Sequence, residues 1–445
     1  MGRLHAGLFT TCCSPLLPWK KHATNDTTTS NGTSWTLVSL PENFLPPLAS
    51  LTATWSCIFL VDNRGSVFYA GRYFCQDWTE HSHCWIEVDD VDDSSRKNTT
   101  TPGAEWKLLE NEDIRDIQHL SASSNLLVLV GATHLIVFPC TESSSSPSKH
   151  RWFTWALPSS NSTSREGGGC CQSVATGRGY FLLVTSDGDV YGWGANDYGQ
   201  LGIVEQQQQH SDSDDTQDED PVITCKYCDS LTRIEAVPSG MALKVACCDM
   251  SSAVLLKNGQ VMVFGNNLYL QLGTHLCCPI QAPQTLDTFS THHPARDIAM
   301  HSWQMAVMDH RGQVWLSGKE PIHPLQREHG GGSLSPTISL STTDMTSCVL
   351  CENDDRCCPH RRLIAGNRYF LLQTSDAIYG YGSGLRDYIL PSYTKNDDWV
   401  ILKQWTTSPL SSQRQQVLVA AAENDILIYE EKITTGDMAH PRSSR

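Results

Sequence analysis

The chain has 445 residues, 40% of them apolar, with a formal net charge of −16 and a pI near 5.4. That is enough apolar material for a core, and the acidic balance is poorly suited to holding nucleic-acid phosphates directly. No run approaches the ~18 consecutive apolar residues of a membrane-spanning helix, and helical periodicity is scarce throughout.

In chain order, the first element is Arg3-Leu4-His5-Ala6-Gly7, followed by a tryptophan-led strand, Trp35-Thr36-Leu37-Val38. The apolar run Cys57–Val61 leads into RGSVFYAG, which sets Gly65 and Gly71 six residues apart. Trp106-Lys107-Leu108-Leu109 is a second tryptophan-led strand. THLIVFP follows, with Pro139 standing where the second glycine would be, and then Trp152-Phe153-Thr154-Trp155. The apolar run Tyr180–Val184 leads into the fullest copy, DGDVYGWGANDYGQLG, residues 187–202. Ala253–Leu256 leads into NGQVMVFGNNLYLQLG, residues 258–273, and the two stretches align without a gap. Gly188 matches Gly259, Gly194 matches Gly265, Asn196 matches Asn267, and Gln200-Leu201-Gly202 matches Gln271-Leu272-Gly273. RGQVWLSG keeps Gly312 and Gly318, whereas SDAIYGYG keeps Gly382 and has Asp376 in place of the first glycine. Trp399–Leu402, Val417–Ala420 and Asp425–Tyr429 close the series.

These units have a common physical reading. A near-continuous apolar run of four to six residues suits a strand covered on both faces. Asp187-Gly188 and Asn258-Gly259 predict tight hairpin turns, where glycine supplies a positive φ. A short strand follows, and the second glycine ends it. A phosphate-binding loop is excluded: Gly192-Trp193-Gly194 continues with Ala195-Asn196-Asp197, which is not GxGxxG, and no helix start follows. With the tryptophan-led strand, each unit has about four strands, the usual propeller blade. Second-glycine positions fall at 7, 71, 139, 194, 265, 318 and 382, which gives seven units. The segment at 417–429 reads as the first two strands of a unit that lacks its glycine hairpin, and Arg3–Gly7 sits in the register of Val190–Gly194. One blade is therefore expected to be shared between the two ends, which removes exposed sheet edges.

Gly188-x5-Gly194-x-Asn196-x-Tyr198-Gly199-Gln200-Leu201-Gly202 resembles the signature of the regulator of chromosome condensation repeat. The resemblance implies an all-β, seven-bladed β-propeller spanning 1–445 as a single domain. Segments 86–104, 141–165, 204–222 and 320–360 are expected to be inter-blade insertions of low order, and 432–445 a tail. Two of them are acidic: five acids lie in Glu87–Asp93, and seven in Glu205–Asp220, which has no Lys or Arg. Such tracts are read as solvated insertions.

Ten of the 18 cysteines form five adjacent pairs, among them Cys170-Cys171 and Cys247-Cys248. Neighbours on a strand face opposite sides, so a pair there makes a poor chelate. Asn25, Asn31, Asn98 and Asn161 lie in glycosylation sequons, but the first thirty residues lack a continuous apolar h-region. A reduced, intracellular protein, cytoplasmic or nuclear, is expected. Cys348, Cys351, Cys357 and His360 form the weak metal candidate, with spacing far from a zinc-finger pattern. Cys225-x2-Cys228 lies in another insertion.

Hydrolase, kinase and P-loop signatures are absent. In Gly380-Tyr381-Gly382-Ser383-Gly384 the serine is misplaced for a nucleophile elbow. His292-His293 is placed in a linker, and His301 in a strand is read as structural. No cofactor is expected. Two functions remain: a non-catalytic protein-interaction scaffold, or, as the family resemblance implies, a guanine nucleotide exchange factor for a small Ran-like GTPase. Decayed repeats, acidic insertions and the lack of a basic N-terminal arm favour the scaffold, a monomer that binds a protein partner and no nucleic acid or membrane directly.

Overall fold

The computed structural model describes residues 3–8, 35–54, 57–71, 106–109, 113–139, 152–158, 170–203, 227–318, 341–343, 361–374, 377–388, 399–405, 414–421 and 425–433. The described residues are all-β apart from a six-residue helix, Ser383–Tyr388. The strands form seven antiparallel four-stranded sheets, the blades of a seven-bladed propeller. The insertions at 86–104 and 204–222 and the residues Cys348, Cys351, Cys357 and His360 lie outside the described residues, as do the four sequon asparagines. Within 141–165, Phe153–Ala156 is a blade strand paired with His134–Pro139. Within 320–360, Ser341–Thr343 pairs with Val314–Ser317, and the last strand runs on to Ile433.

Two compact units are described. The first, residues 1–156 and 346–445, holds four blades. One of these joins Arg414–Ala421, Asp425–Ile433, Arg3–Leu8 and Trp35–Val38 in that spatial order. Gly7 pairs with both Ile426 and Trp35, and Leu418 pairs with Tyr429, so the expected sharing of a blade by the chain ends is observed. The other three span Ser50–Leu108, Ile117–Ala156 and Arg362–Gln404. Apolar cores lie between neighbouring sheets. Leu4, Val38, Ile58, Leu60 and Tyr429 form one. Trp35, Tyr369, Leu371, Ile426 and Ile428 form another.

The second unit, residues 157–345, holds the blades Cys171–Arg233, Ala242–Thr285 and Ala295–Thr343 around one continuous core. The apolar runs are second strands and are covered on both faces: every residue of Tyr180–Thr185 and Ser251–Leu256 is buried. The first strands, Cys171–Thr176, Ala242–Cys248 and Ala295–His301, are rich in small side chains. Each begins with a register shift, which bends the strand where it starts.

One assignment of strands to blades differs from the sequence reading. The tryptophan-led strands precede the apolar runs in sequence but belong to the preceding blade as its outermost strand; Val400–Gln404 pairs with Ala377–Tyr381, for example. An outermost strand is covered by only one neighbour, so its burial is partial, as at Phe153–Ala156.

In four blades the hairpin between second and third strands turns on the first glycine, Gly65, Gly188, Gly259 or Gly312. Gly188 has φ of +92° and its N–H donates to Thr185 O (2.9 Å). A Cβ there would lie 2.6 Å from Gly240 O. Gly188→Val is expected to cost more than ~1 kcal/mol in a denaturant titration, because a β-branched residue at positive φ is a true outlier. A midpoint and slope equal to wild type would overturn this assignment of the turn.

Candidate functional site

Strand order places two sets of loops at opposite ends of each blade. Gly65, Gly188, Gly259 and Gly312 sit in hairpins at one end. Gly71, Gly194, Gly265, Gly318 and Gly382 close the third strands at the other, where Gly7 closes the third strand of the shared blade. The described repeat residues thus recur blade by blade.

The polar residues of the repeat fold the loop that follows the third strand. Asn196 is buried; Leu201 N–H donates to its Oδ1 (2.8 Å) and its Nδ2 donates to Ile203 O (2.8 Å). Gln200 Oε1 accepts from Tyr198 N–H (2.8 Å). The next copy repeats this: Leu272 N–H donates to Asn267 Oδ1 (2.9 Å), and Tyr269 N–H to Gln271 Oε1 (2.9 Å). Gly199 and Gly202 let the loop lie against Gln281 and Pro283 of the following blade, and Gly273 faces Ser317. Buried side chains then tie loop to neighbour. Tyr180 Oη donates to Ser251 O (2.6 Å), and Ser252 Oγ donates to Gln200 O (2.7 Å). Ser317 Oγ donates to Gln271 O (2.8 Å). Asparagine and glutamine carry no proton chemistry here. They satisfy loop backbone groups that would otherwise be buried without partners.

The second copy of this loop is chemically different at its surface. Leu268 and Tyr269 are exposed at 48% and 39%, and Leu276 at 65%. Cys277 and Cys278 beside them are exposed as well. Leu270 takes the place of Gly199 and is held at φ of +57°, in the left-handed region that disfavours a leucine. The loop is nonetheless locked, since Asn267 Nδ2 donates to Thr274 Oγ1 (2.8 Å) and Leu276 O (2.6 Å), and Cys277 Sγ to Leu268 O (2.9 Å). The sequence reading matched Asn267, Gln271, Leu272 and Gly273 of NNLYLQLG and passed over Leu268 and Leu270. The signal was present: Asp197 in one copy is Leu268 in the other.

Nothing in the described residues makes an activated nucleophile. Burial pushes the thiols of Cys171 and Cys247 up to about 12, and that of Cys248 well above its ordinary value. His301 is buried in its strand, with Trp303 N–H directed at its Nδ1 (3.4 Å). Among the described residues, one group of three could hold a metal: His293, Asp309 and His310, at the hairpin end.

The regulator of chromosome condensation repeat family matches residues 171–200 and 187–255. Among solved structures, human WBSCR16 is similar with a TM-score of 0.61 and 15% identity, over 98% of this chain and 100% of that one. Prp20p from Saccharomyces cerevisiae, described with its binding to Gsp1p and histones, is similar with a TM-score of 0.57 and 12% identity, over 98% and 93%. Yeast RCC1 (Prp20) bound to Kap60 gives 0.58 and 13%, over 98% and 90%. At such identities the likeness establishes the fold. The chain is thus a seven-bladed propeller that carries regulator of chromosome condensation repeats at residues 171–255.

Proposed function

We propose that the chain is a non-catalytic protein-interaction scaffold and that the loop 266–278 is one of its docking elements. The observation that carries this reading is the pairing of rigidity with exposed apolar surface. Buried Asn267 and Gln271 hold a loop whose outward residues are Leu268, Tyr269 and Leu276. Leucine at the left-handed position 270 is a backbone strain of about 1–3 kcal/mol that the repeat avoids elsewhere with glycine. A sequence that keeps such strain while presenting apolar side chains is shaped for contact, not for loop stability. Free cysteines throughout the described residues, buried Cys57, Cys171 and Cys248 among them, support a reducing, intracellular setting.

The second reading is nucleotide exchange on a small GTPase, supported by the likeness to Prp20p, which is described as binding Gsp1p. Exchange requires only a surface that favours the nucleotide-free GTPase, so the fold is compatible with it. One experiment separates the two. The full chain and a Leu268→Ser/Tyr269→Ser/Leu276→Ser variant are used as baits in extract of the native cell, and captured proteins are read by mass spectrometry. The same samples are assayed for release of labelled guanine nucleotide from Ran at near-physiological salt, where weak charge contacts are screened. The expected result is a partner captured by the wild type and lost in the variant, with release at its intrinsic rate. A thousandfold acceleration of release would replace the scaffold with an exchange factor. Equal capture by both baits would remove this loop from the docking surface.

A further inference from the structure

Asp309 ends the strand Gln304–Asp309 and is fully buried. Its Oδ1 accepts from Arg311 N–H and Gln313 N–H, both at 2.9 Å, and so shapes the hairpin DHRGQ. Asp62 does the same in DNRGS, accepting from Arg64 N–H and Ser66 N–H at 2.9 Å. The turn therefore explains the aspartate and one of its oxygens. It does not explain the surroundings of the other. Asp309 Oδ2 lies 2.8 Å from His293 Nε2 and accepts from Trp315 Nε1 (3.2 Å).

The protons decide what His293 is doing. Its Nδ1 lies 3.2 Å from Thr288 O, and a carbonyl oxygen only accepts, so Nδ1 carries the hydrogen. In the neutral ring, Nε2 then points a lone pair at a carboxylate oxygen. Two acceptors meet at that distance only when they share a cation, either a proton held by the ring or the carboxyl or a metal ion bound by both. A histidine whose far nitrogen donates to a backbone carbonyl, with its near nitrogen beside a carboxylate, has the outer support that metal-ligating imidazoles usually have. The third group is His310, adjacent in sequence to Asp309 and exposed, with its ring 5.9 Å from that of His293. Its backbone is tied by His310 N–H to Pro294 O (3.0 Å), which holds the two histidine-bearing segments together. One donor atom from each of the three residues lies within 4.8 Å of the others. Phe289 and Trp315 wall the site, with ring centroids 5.8 and 5.3 Å from His293. The hairpin at Asp62 has Asn63 where this one has His310.

We propose that His293 Nε2, Asp309 Oδ2 and a ring nitrogen of His310 form a site for one divalent first-row transition ion of the imidazole-preferring class, with water completing the coordination. Metal–ligand distances of about 2.1 Å place cis ligands of a six-coordinate ion ~3.0 Å apart and tetrahedral ligands ~3.4 Å apart. The 2.8 Å separation of Nε2 and Oδ2 matches the six-coordinate arrangement, and exposed His310 can swing to close the third bond. Two imidazoles and one carboxylate with open positions suit Ni²⁺, Cu²⁺ or Fe²⁺ better than a closed thiolate cage does.

The test titrates the full chain with NiCl₂ by calorimetry after alkylation of accessible thiols, and repeats this for His310→Ala and His293→Gln. A parallel Cu²⁺ sample is read by electron paramagnetic resonance for nitrogen coupling. One equivalent of Ni²⁺ is expected in the wild type, at least tenfold weaker in His310→Ala and lost in His293→Gln, with one fewer coupled nitrogen in the Cu²⁺ spectrum of His310→Ala. His310 is exposed, so its variant tests the site even if His293→Gln disturbs the fold. Equal stoichiometry and affinity in wild type and His310→Ala, or no bound ion in the wild type, overturns the proposal and leaves His293 hydrogen-bonded to Asp309 without a metal.

Discussion

A chain lacking residues 1–40 is expected to lose cooperative folding altogether. Arg3–Leu8 is an interior strand, paired with Asp425–Ile433 on one side and Trp35–Val38 on the other. Leu4, Trp35 and Val38 are 0%, 6% and 2% exposed. Burial of each such side chain contributes about 1.5–3 kcal/mol, so the three together approach the ~5–15 kcal/mol that holds a whole domain. The truncation also uncovers Ile426, Leu427 and Ile428, now 1% exposed or less, along a bare strand edge that invites pairing with other chains. Soluble yield and thermal unfolding by circular dichroism check this. A soluble monomer melting within a few degrees of wild type would mean that the shared blade contributes little.

Gly194→Ala is expected to cost more than ~3 kcal/mol, well above the loss at Gly188. Gly194 sits at φ of +107°, outside even the left-handed well that an alanine can visit, which alone costs roughly 1–3 kcal/mol. A methyl group there would also collide with Gly179 O and come within 2.8 Å of Tyr180 Cα. Both are backbone atoms, fixed by Ala195 N–H donating to Gly179 O (2.9 Å) and by the buried Tyr180 ring. The wall therefore cannot yield without moving the strand. Gly382, at φ of +126° with Arg368 O in the corresponding place, is built alike. Urea denaturation of the variant gives the measure; a loss under 1 kcal/mol would show that the backbone relaxes freely.

These two positions also show what the amino-acid pattern could reveal. Blade number and the shared blade were legible because glycines mark turns that only glycine tolerates, and they recur at fixed places in each unit. Apart from Val417–Ala420, the first strands were not. Cys171–Thr176 has one buried residue, at its start, because the strand is made of small and polar side chains and carries no apolar run. The tryptophan-led strands were visible, but their blade was not, since pairing partners are set by tertiary order and not by adjacency. At the sites the limit is of another kind. His293 and Asp309 are sixteen residues apart and meet only because a loop and a hairpin are folded against each other. Read as a linker residue, His293 offered no sign of this. Leu268 and Leu270 were legible as departures from the sister copy, yet the exposure of Leu268 and Tyr269 depends on Asn267 and Gln271 locking the loop.

The pairing of Gly7 with Ile426 carries a consequence for biogenesis. On a ribosome adding about 5–20 residues per second, tens of seconds separate the emergence of the first partner from that of the second. During that interval the segment 3–8, with Leu4 destined for full burial, has only Trp35–Val38 to pair with. The blade it completes cannot close until translation has nearly reached the last described strand. A nascent chain stalled before residue 425 therefore keeps the buried face of its first strand open to water.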